Sequence, residues 1–446
     1  MNAEEIVKVT MAGGFDEAVV STYRYAKAYL KIANSKIDSL VEKYEVSGSL
    51  FVSSKKRVFF TNMDSLDAVS VAKAIKNAKA GIAAIRPKED YYGIAEGPFR
   101  YKNVPHGKSG NGIDKEEMYD MAQAAINSAL ENGATSVAGT VVAGQVLDEL
   151  STSKKVSESN MSPSFRLSLR VFAGASSAQD FIASKDRRKI EEESFAKNLT
   201  SLATITKKTG RISPGKYDII YMPTAAGLLL SNVNSMACMG TVETGSPFAK
   251  KLGKQVGSRD VSIYDDGAIA TGINSSPYDA EGYPSQRTAV IEGGVLKHYL
   301  HNHSTAIKYH TKSTGNAGLV QPGPNTMVLK HRKHRKSVED LISDVDRGIL
   351  VSNTWYTRFS NNLTGAFSTV PRDTAAYIEC GEPKFMIKQI AASEAVGIRI
   401  SDSIPGILKR MASTGGQTVQ STSWDSEGYY YFTPSILVRD TAVTTV

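Results

Sequence analysis

At 446 residues, 41% apolar and 22% charged, with a net charge of +8, the chain is long enough for two domains with sizeable cores. No apolar run approaches the roughly eighteen residues that span a bilayer, and the opening Met1-Asn2-Ala3-Glu4-Glu5-Ile6 lacks the basic-then-apolar pattern of a secretory signal. Two cysteines, Cys238 and Cys380, make no disulfide framework, so a cytoplasmic protein without membrane contact is expected.

The first predicted element is a short helix over Ala3–Met11, followed by a weakly alternating strand over Glu17–Tyr23. β-Prone stretches follow at Tyr29–Ala33, Asp38–Glu45, Ser47–Ser53 and Arg57–Thr61. Ser65 is then placed to cap an amphipathic helix, because Ala68, Val71, Ala72, Ile75 and Ala78 recur at helical spacing. A second helix is bounded by Asp114, a good N-cap, and Gly133, a good C-cap. Strands over Thr135–Ala143 and Ser164–Ala173 bracket a polar connection, and a long charged helix is expected over Ala178–Lys207.

Turn formers gather from Thr209 to Lys216 (TGRISPGK), which places a domain boundary there. The expected class is α+β: a mixed α/β N-terminal domain over 1–210 and a β-rich C-terminal domain over 211–446. Thr288–Leu300 reads as a hairpin turning at Gly293-Gly294. Further strands are expected at Thr326–Leu329, Ile349–Tyr356, Ala376–Glu379, Ile398–Ile400 and Tyr430–Val438. In the last of these, Pro434 argues for an edge or a bulge.

Most catalytic signatures are absent. There is no phosphate-binding glycine loop, no nucleophile elbow and no C-x-x-C pair. No histidine is followed by glutamate, so the zinc-binding helix in which two imidazoles hold the metal and a glutamate activates water cannot form. His298, His301, His303 and His310 form one cluster in sequence. A strand over Lys297–His303 would put His301 and His303 on one face, where imidazoles suit zinc or copper; the alternative is a polar surface strand running into a helix. No carboxylate or cysteine lies inside the cluster to complete a site. The run Lys330–Lys336 could meet a polyanion, but no aromatic residues interleave it, and a solvated loop before a helix at Ser337 is the simpler expectation. Cys238, among Val233, Met236, Ala237 and Met239, is expected to be a buried inert thiol, and Cys380 to be exposed at a turn.

Several phrases then occur in order: Val261 to Gly267 (VSIYDDG), Tyr278 to Pro284 (YDAEGYP), the Gly293-Gly294 hairpin, Thr314-Gly315-Asn316, Gly348 to Val351, and Asn362 to Ser368 (NLTGAFS). Read as residues, Asp265-Asp266-Gly267 is a turn, and Asp279, Glu281 and Gly282 form a structured loop. The series resembles the TldD/PmbA family, and specifically its non-metal-binding TldE/PmbA-type branch, also described as modulators of gyrase; the clear resemblance covers Tyr217 to Val446.

The resemblance implies a barrel-like β-rich C-terminal domain. It also implies a hollow dimer, in which a zinc-bearing TldD-type subunit cleaves unfolded peptides. The family's zinc-binding helix corresponds to Thr224–Met236. Its His-Glu pair then falls at Ser231 and Asn232, its second histidine near Met236, and its C-terminal cysteine at Ala412. These four would be degenerate metal positions. The resemblance therefore implies a non-catalytic subunit with no cofactor of its own, zinc in the partner, and either a TldD-type heterodimer partner or a second copy of itself. The alternative is a structural or binding homodimer without protease activity. Asp279, Glu281, Gly282 and Asn316 would be scaffold, or would line the chamber.

Overall fold

The computed structural model describes residues 1–102, 104, 114–388, 397–422 and 430–445. It is an α+β fold built on two sheets. Among the described residues no helix is long and apolar enough to cross a membrane.

The chain begins on the Ala3–Ala12 helix, fixed by a reciprocal cap: the Glu5 N–H donates to Asn2 Oδ1 at 2.9 Å and the Asn2 N–H to Glu5 Oε2 at 3.0 Å. Six antiparallel strands follow, ordered in space as Arg57–Met63, Lys36–Ser54, Glu17–Ala33, Ser136–Thr152, Val156–Ala173 and Ser176–Ser184. Several of these strands are longer than the sequence suggests. The stretches expected at Tyr29–Ala33 and Asp38–Glu45 belong to two strands paired from Glu17↔Ser53 to Ala33↔Lys36. The expected polar connection between Ala143 and Ser164 is also strand, paired from Ser136↔Phe172 to Thr152↔Val156. Residues 24–27 and 145–149, which lie between the expected strands, are half-buried without a break, so there is no alternation of inward and outward positions to read.

The expected helix over Ala178–Lys207 is divided. Ser176–Ser184 is the edge strand, a single turn follows at Arg187–Lys189, and the helix is Glu192–Ala203. The charged run from Arg187 to Glu193 carries the helical signal, and cross-strand pairing claims the residues before it. The helix expected to start at Ser65 is capped by Asp67 instead, whose Oδ1 accepts from the Ser70 N–H at 2.8 Å while Ser65 Oγ donates to its other oxygen at 2.6 Å. A carboxylate is the stronger acceptor for a helix N-terminus. Asp114 caps Lys115–Glu131 as expected.

One face of this sheet carries two cores. Ala18, Val20, Leu50 and Val52 pack against Ile6, Val71, Ala74 and Ala78 of the first two helices. Ala28, Leu30, Val141, Leu167 and Leu169 pack against Met118, Met121, Ile126, Ala196 and Leu199 of the next two. All these strand residues lie on one face of the pleat, and each fully buried Leu, Ile or Val contributes about 1.5–3 kcal/mol. On the opposite face Val19, Phe51, Leu150 and Val156 meet Ile94 and Tyr278, which ties the N-terminal sheet to the second one.

The second sheet joins thirteen strands between Thr209 and Thr445. Part of it closes on itself: Tyr430–Thr445 pairs Gly215–Tyr221, which pairs Arg347–Asn361, then Ala366–Glu379, then Ile398–Ser403, which returns to Tyr430–Thr445. This five-strand ring is the barrel-like element that the resemblance implies. Ile219, Tyr221, Val351, Phe367, Ile400, Ile436 and Val443 from the ring share one core with the Pro223–Ala237 helix.

The Gly293-Gly294 hairpin forms as expected, with both glycines at positive φ. Pro434 is not on an edge, because its strand has partners on both sides. It sits at a bulge, where the register skips from Ser435↔Gly415 to Thr433↔Val419, so its missing N–H leaves no ladder bond broken.

Candidate functional site

The Pro223–Ala237 helix starts with proline at its first turn, where no N–H is needed. Ala225, Ala226, Leu229, Leu230, Val233, Met236 and Ala237 bury one face in the ring's core. Gly227 lets the helix lie directly on Tyr431: a Cβ there would stand 2.0 Å from that ring. The remaining face is a half-buried stripe of Leu228, Ser231, Asn232 and Ser235, at the spacing of one helix side.

Two of the proposed degenerate metal positions lie on this stripe. Their polar groups are used locally: Ser231 Oγ donates to Leu228 O at 3.2 Å, and Asn232 Nδ2 to Leu228 O at 3.0 Å and Leu229 O at 3.1 Å. Met236 is a core residue that shares its cluster with Met411. Ala412 packs against a different cluster, with Ile220, Leu341 and Leu437. The stripe offers a hydroxyl and an amide already bonded to backbone, and the other two positions offer a buried thioether and a methyl group. This donor set does not fit Zn²⁺, which takes thiolate, imidazole and carboxylate.

The family-like phrases meet around buried carboxyls. Asp265 Oδ1 accepts from Asn234 Nδ2 at 2.9 Å and the Asn325 N–H at 2.8 Å; Oδ2 accepts from Asn316 Nδ2 at 2.7 Å and Asn325 Nδ2 at 3.1 Å. Burial pushes this carboxyl up to about 6 against the pull of those donors. Three asparagines from separate segments thus lock the helix to the Val261–Asp266 strand and to the Thr314-Gly315-Asn316 phrase. Asn234 and Asn325 carry no signal in the sequence pattern, because an asparagine in a helix or loop is normally solvated.

Asp279 and Glu281 are buried as well. Asp279 accepts from the N–H groups of Glu281 at 3.0 Å, Tyr283 at 2.9 Å and Ala317 at 2.9 Å, and burial lifts it to about 7. Glu281 accepts from the N–H groups of Ala95 at 3.4 Å and His303 at 3.3 Å; burial and then the charge of Asp279 push it well above the carboxylate range. Gly282, at φ +77°, approaches Val156 of the N-terminal sheet so closely that a Cβ would stand 2.5 Å from its methyl. The loop therefore sits at the joint between the sheets.

The histidines do not converge. The strand over Val295–Leu296 ends before them, which removes the shared face expected for His301 and His303. His301 is buried, its Nδ1 3.3 Å from Thr305 Oγ1, and burial lowers it to about 4. His303 begins a short helix capped by Asn302, while His298 Nδ1 lies 3.0 Å from Ala289 O. Among the described residues no three or more His, Cys, Asp or Glu side chains are grouped to hold a metal ion. The Lys330–Lys336 run covers the end of one strand and a short second one; Arg335 pairs Asp344 at 3.0 Å and Lys333 reaches Asp260 at 3.7 Å. Ser337 caps the next helix as expected, Cys238 is buried and Cys380 exposed.

The strand ring, the helix on its core and the carboxyl-centred loops define a chain with the architecture of a metallopeptidase C-terminal domain: a family model described as PmbA/TldA metallopeptidase C-terminal domain matches residues 214–445, just over half the chain. The chain belongs to the PmbA/TldD family. An uncharacterized protein of Methanocaldococcus jannaschii is 24% identical over 389 residues, 84% of this chain and 88% of that one. The metalloprotease PmbA of Escherichia coli O157:H7 is 26% identical over 187 residues, 40% of this chain and 39% of that protein. The crystal structure of TldE from Thermococcus kodakarensis superposes with a TM-score of 0.82 at 20% identity, covering 99% of both chains, which shows a shared fold.

Proposed function

We propose that this chain is the non-catalytic partner subunit of a TldD-type zinc metalloprotease, acting in the cytoplasm on unfolded peptides within an enclosed chamber. The observation that carries this reading is the open stripe of the Pro223–Ala237 helix: Ser231 and Asn232 stand where the family's His-Glu pair falls, and both side chains are spent on their own helix's carbonyls. From Thr224 to Gly240 there is no His, Asp or Glu, so a shift of the alignment by one or two positions supplies no ligand set either. The zinc and its general base would come from the partner, and this chain's part would be to close the chamber and stabilise that subunit.

Affinity capture of the tagged full chain from its native host, followed by native mass spectrometry, tests the pairing. A heterodimer with a TldD-type subunit is expected. Homodimers throughout, with no such subunit, would refute the pairing and favour a structural or binding homodimer.

A further inference from the structure

A cavity of about 720 Å³ lies between the edge strand Ser176–Ser184, the Glu192–Ala203 helix and the start of the Pro223–Ala237 helix. That volume lies within the range of about 300–1,000 Å³ typical of small-molecule sites. Its walls include Phe181, Phe195, Leu199, Leu202, Met222 and Ile342. Lys336 and Glu339 stand at its mouth and are exposed.

One acid is set into the apolar wall. Asp180 Oδ1 accepts from Thr224 Oγ1, at the first turn of the Pro223–Ala237 helix, and from its neighbour's Phe181 N–H at 2.8 Å. Among the described residues nothing donates to Oδ2, and no lysine, arginine or histidine pairs with the carboxylate. Asp265, by contrast, is fully buried and has donors on both oxygens. Asp180 is half-buried where it lines the cavity, so its charge there is incompletely solvated until a cation meets it.

We propose that this cavity is a binding site for an ammonium group on an apolar body, with the cation against Asp180 Oδ2 and the apolar part among Ile182, Phe195 and Leu202. The chemistry is shared by a free apolar amine and by the N-terminus of an apolar peptide. The site is separate from the Ser231–Asn232 stripe and stands whether or not this chain has a catalytic partner.

Calorimetric titration of the full chain decides it. 2-Phenylethylamine and Leu-Phe amide are the probes, and 2-phenylethanol and N-acetyl-Leu-Phe amide their uncharged counterparts. Saturable binding of at least one amine is expected, about tenfold or more tighter than its uncharged counterpart, since only the amine neutralises the carboxylate. Binding of the small amine alone would identify a metabolite-type ligand, and binding of the dipeptide alone a peptide N-terminus. Asp180→Asn, which keeps an acceptor for Thr224, should abolish the preference for the amine. Ser201→Trp, on the exposed side of the mouth, should block both probes and leaves Asp180 in place should Asp180→Asn fail to fold. Equal binding of amine and alcohol, retention of the preference in Asp180→Asn, undiminished binding in Ser201→Trp, or no saturable binding of any probe would each overturn the proposal.

Discussion

Asp265 and Asp180 are two carboxyls that desolvation raises to the same place, about 6, but Asp265 is fully buried and Asp180 only half-buried, and they differ in what surrounds them. Asp265 has four N–H donors on its two oxygens, from three segments of chain. Asp180 has two donors on one oxygen and an open cavity beyond the other. The first arrangement is complete and fixes the fold; the second is incomplete and leaves a charge for a ligand. An elevated pKa therefore does not separate a structural carboxylate from a binding one, and neither does the donor count alone, since buried Glu281 also takes both its donors on one oxygen; the open cavity beside Asp180 is what sets it apart.

Deleting the complete site should give the largest effect. Asp265→Ala strands the Asn234, Asn316 and Asn325 amides in the core, and a loss of about 3–5 kcal/mol in denaturant unfolding is expected. A loss below about 1 kcal/mol would mean that the cage does not hold these segments together.

The helix that spans the two regions gives the next. Gly227→Ala puts a methyl group 2.0 Å from the Tyr431 ring, so helix or strand must move. The expected cost is about 1–3 kcal/mol, even though alanine is the better helix former.

The smallest effect separates the two carboxyls by pH. For an acid whose folded pKa is raised, protonation favours the fold below the unfolded value, and that contribution is lost as pH rises through the folded value. At pH 7 Asp180 is ionised and uncompensated, since its folded value is about 6, so Asp180→Asn should be more stable than the parent by on the order of 1 kcal/mol. The advantage should vanish toward pH 4, where both proteins carry a neutral group. Lys336 and Glu339, the other ionisable groups on this cavity, are exposed at its mouth and common to both proteins. Thermal melts across that range would show the convergence, and a constant difference would contradict it.

The features legible in sequence are those that one segment specifies alone. The Asp114 cap, the Gly293-Gly294 turn and the Ser337 cap each depend on residues within a few positions. The long strands escaped because residues 24–27 and 145–149 are half-buried without a break and impose no two-residue period. The site chemistry escaped for a related reason. Thr224 meets Asp180 across 44 positions, and Asn234 meets Asp265 across 31, so neither pairing leaves a local pattern. Ala412 shows the limit of matching phrases: the position is read from neighbours in sequence, while the fold puts Met411 into the ring's core and Ala412 against another cluster.

The central claim is that this chain carries no zinc-dependent peptidase centre of its own. Elemental analysis of the full chain purified alone from zinc-supplemented medium, read alongside hydrolysis of an unstructured peptide, tests it most directly. The account predicts trace zinc and no cleavage, with both appearing once a TldD-type subunit is added. About one equivalent of tightly held zinc together with cleavage by the lone chain would contradict it.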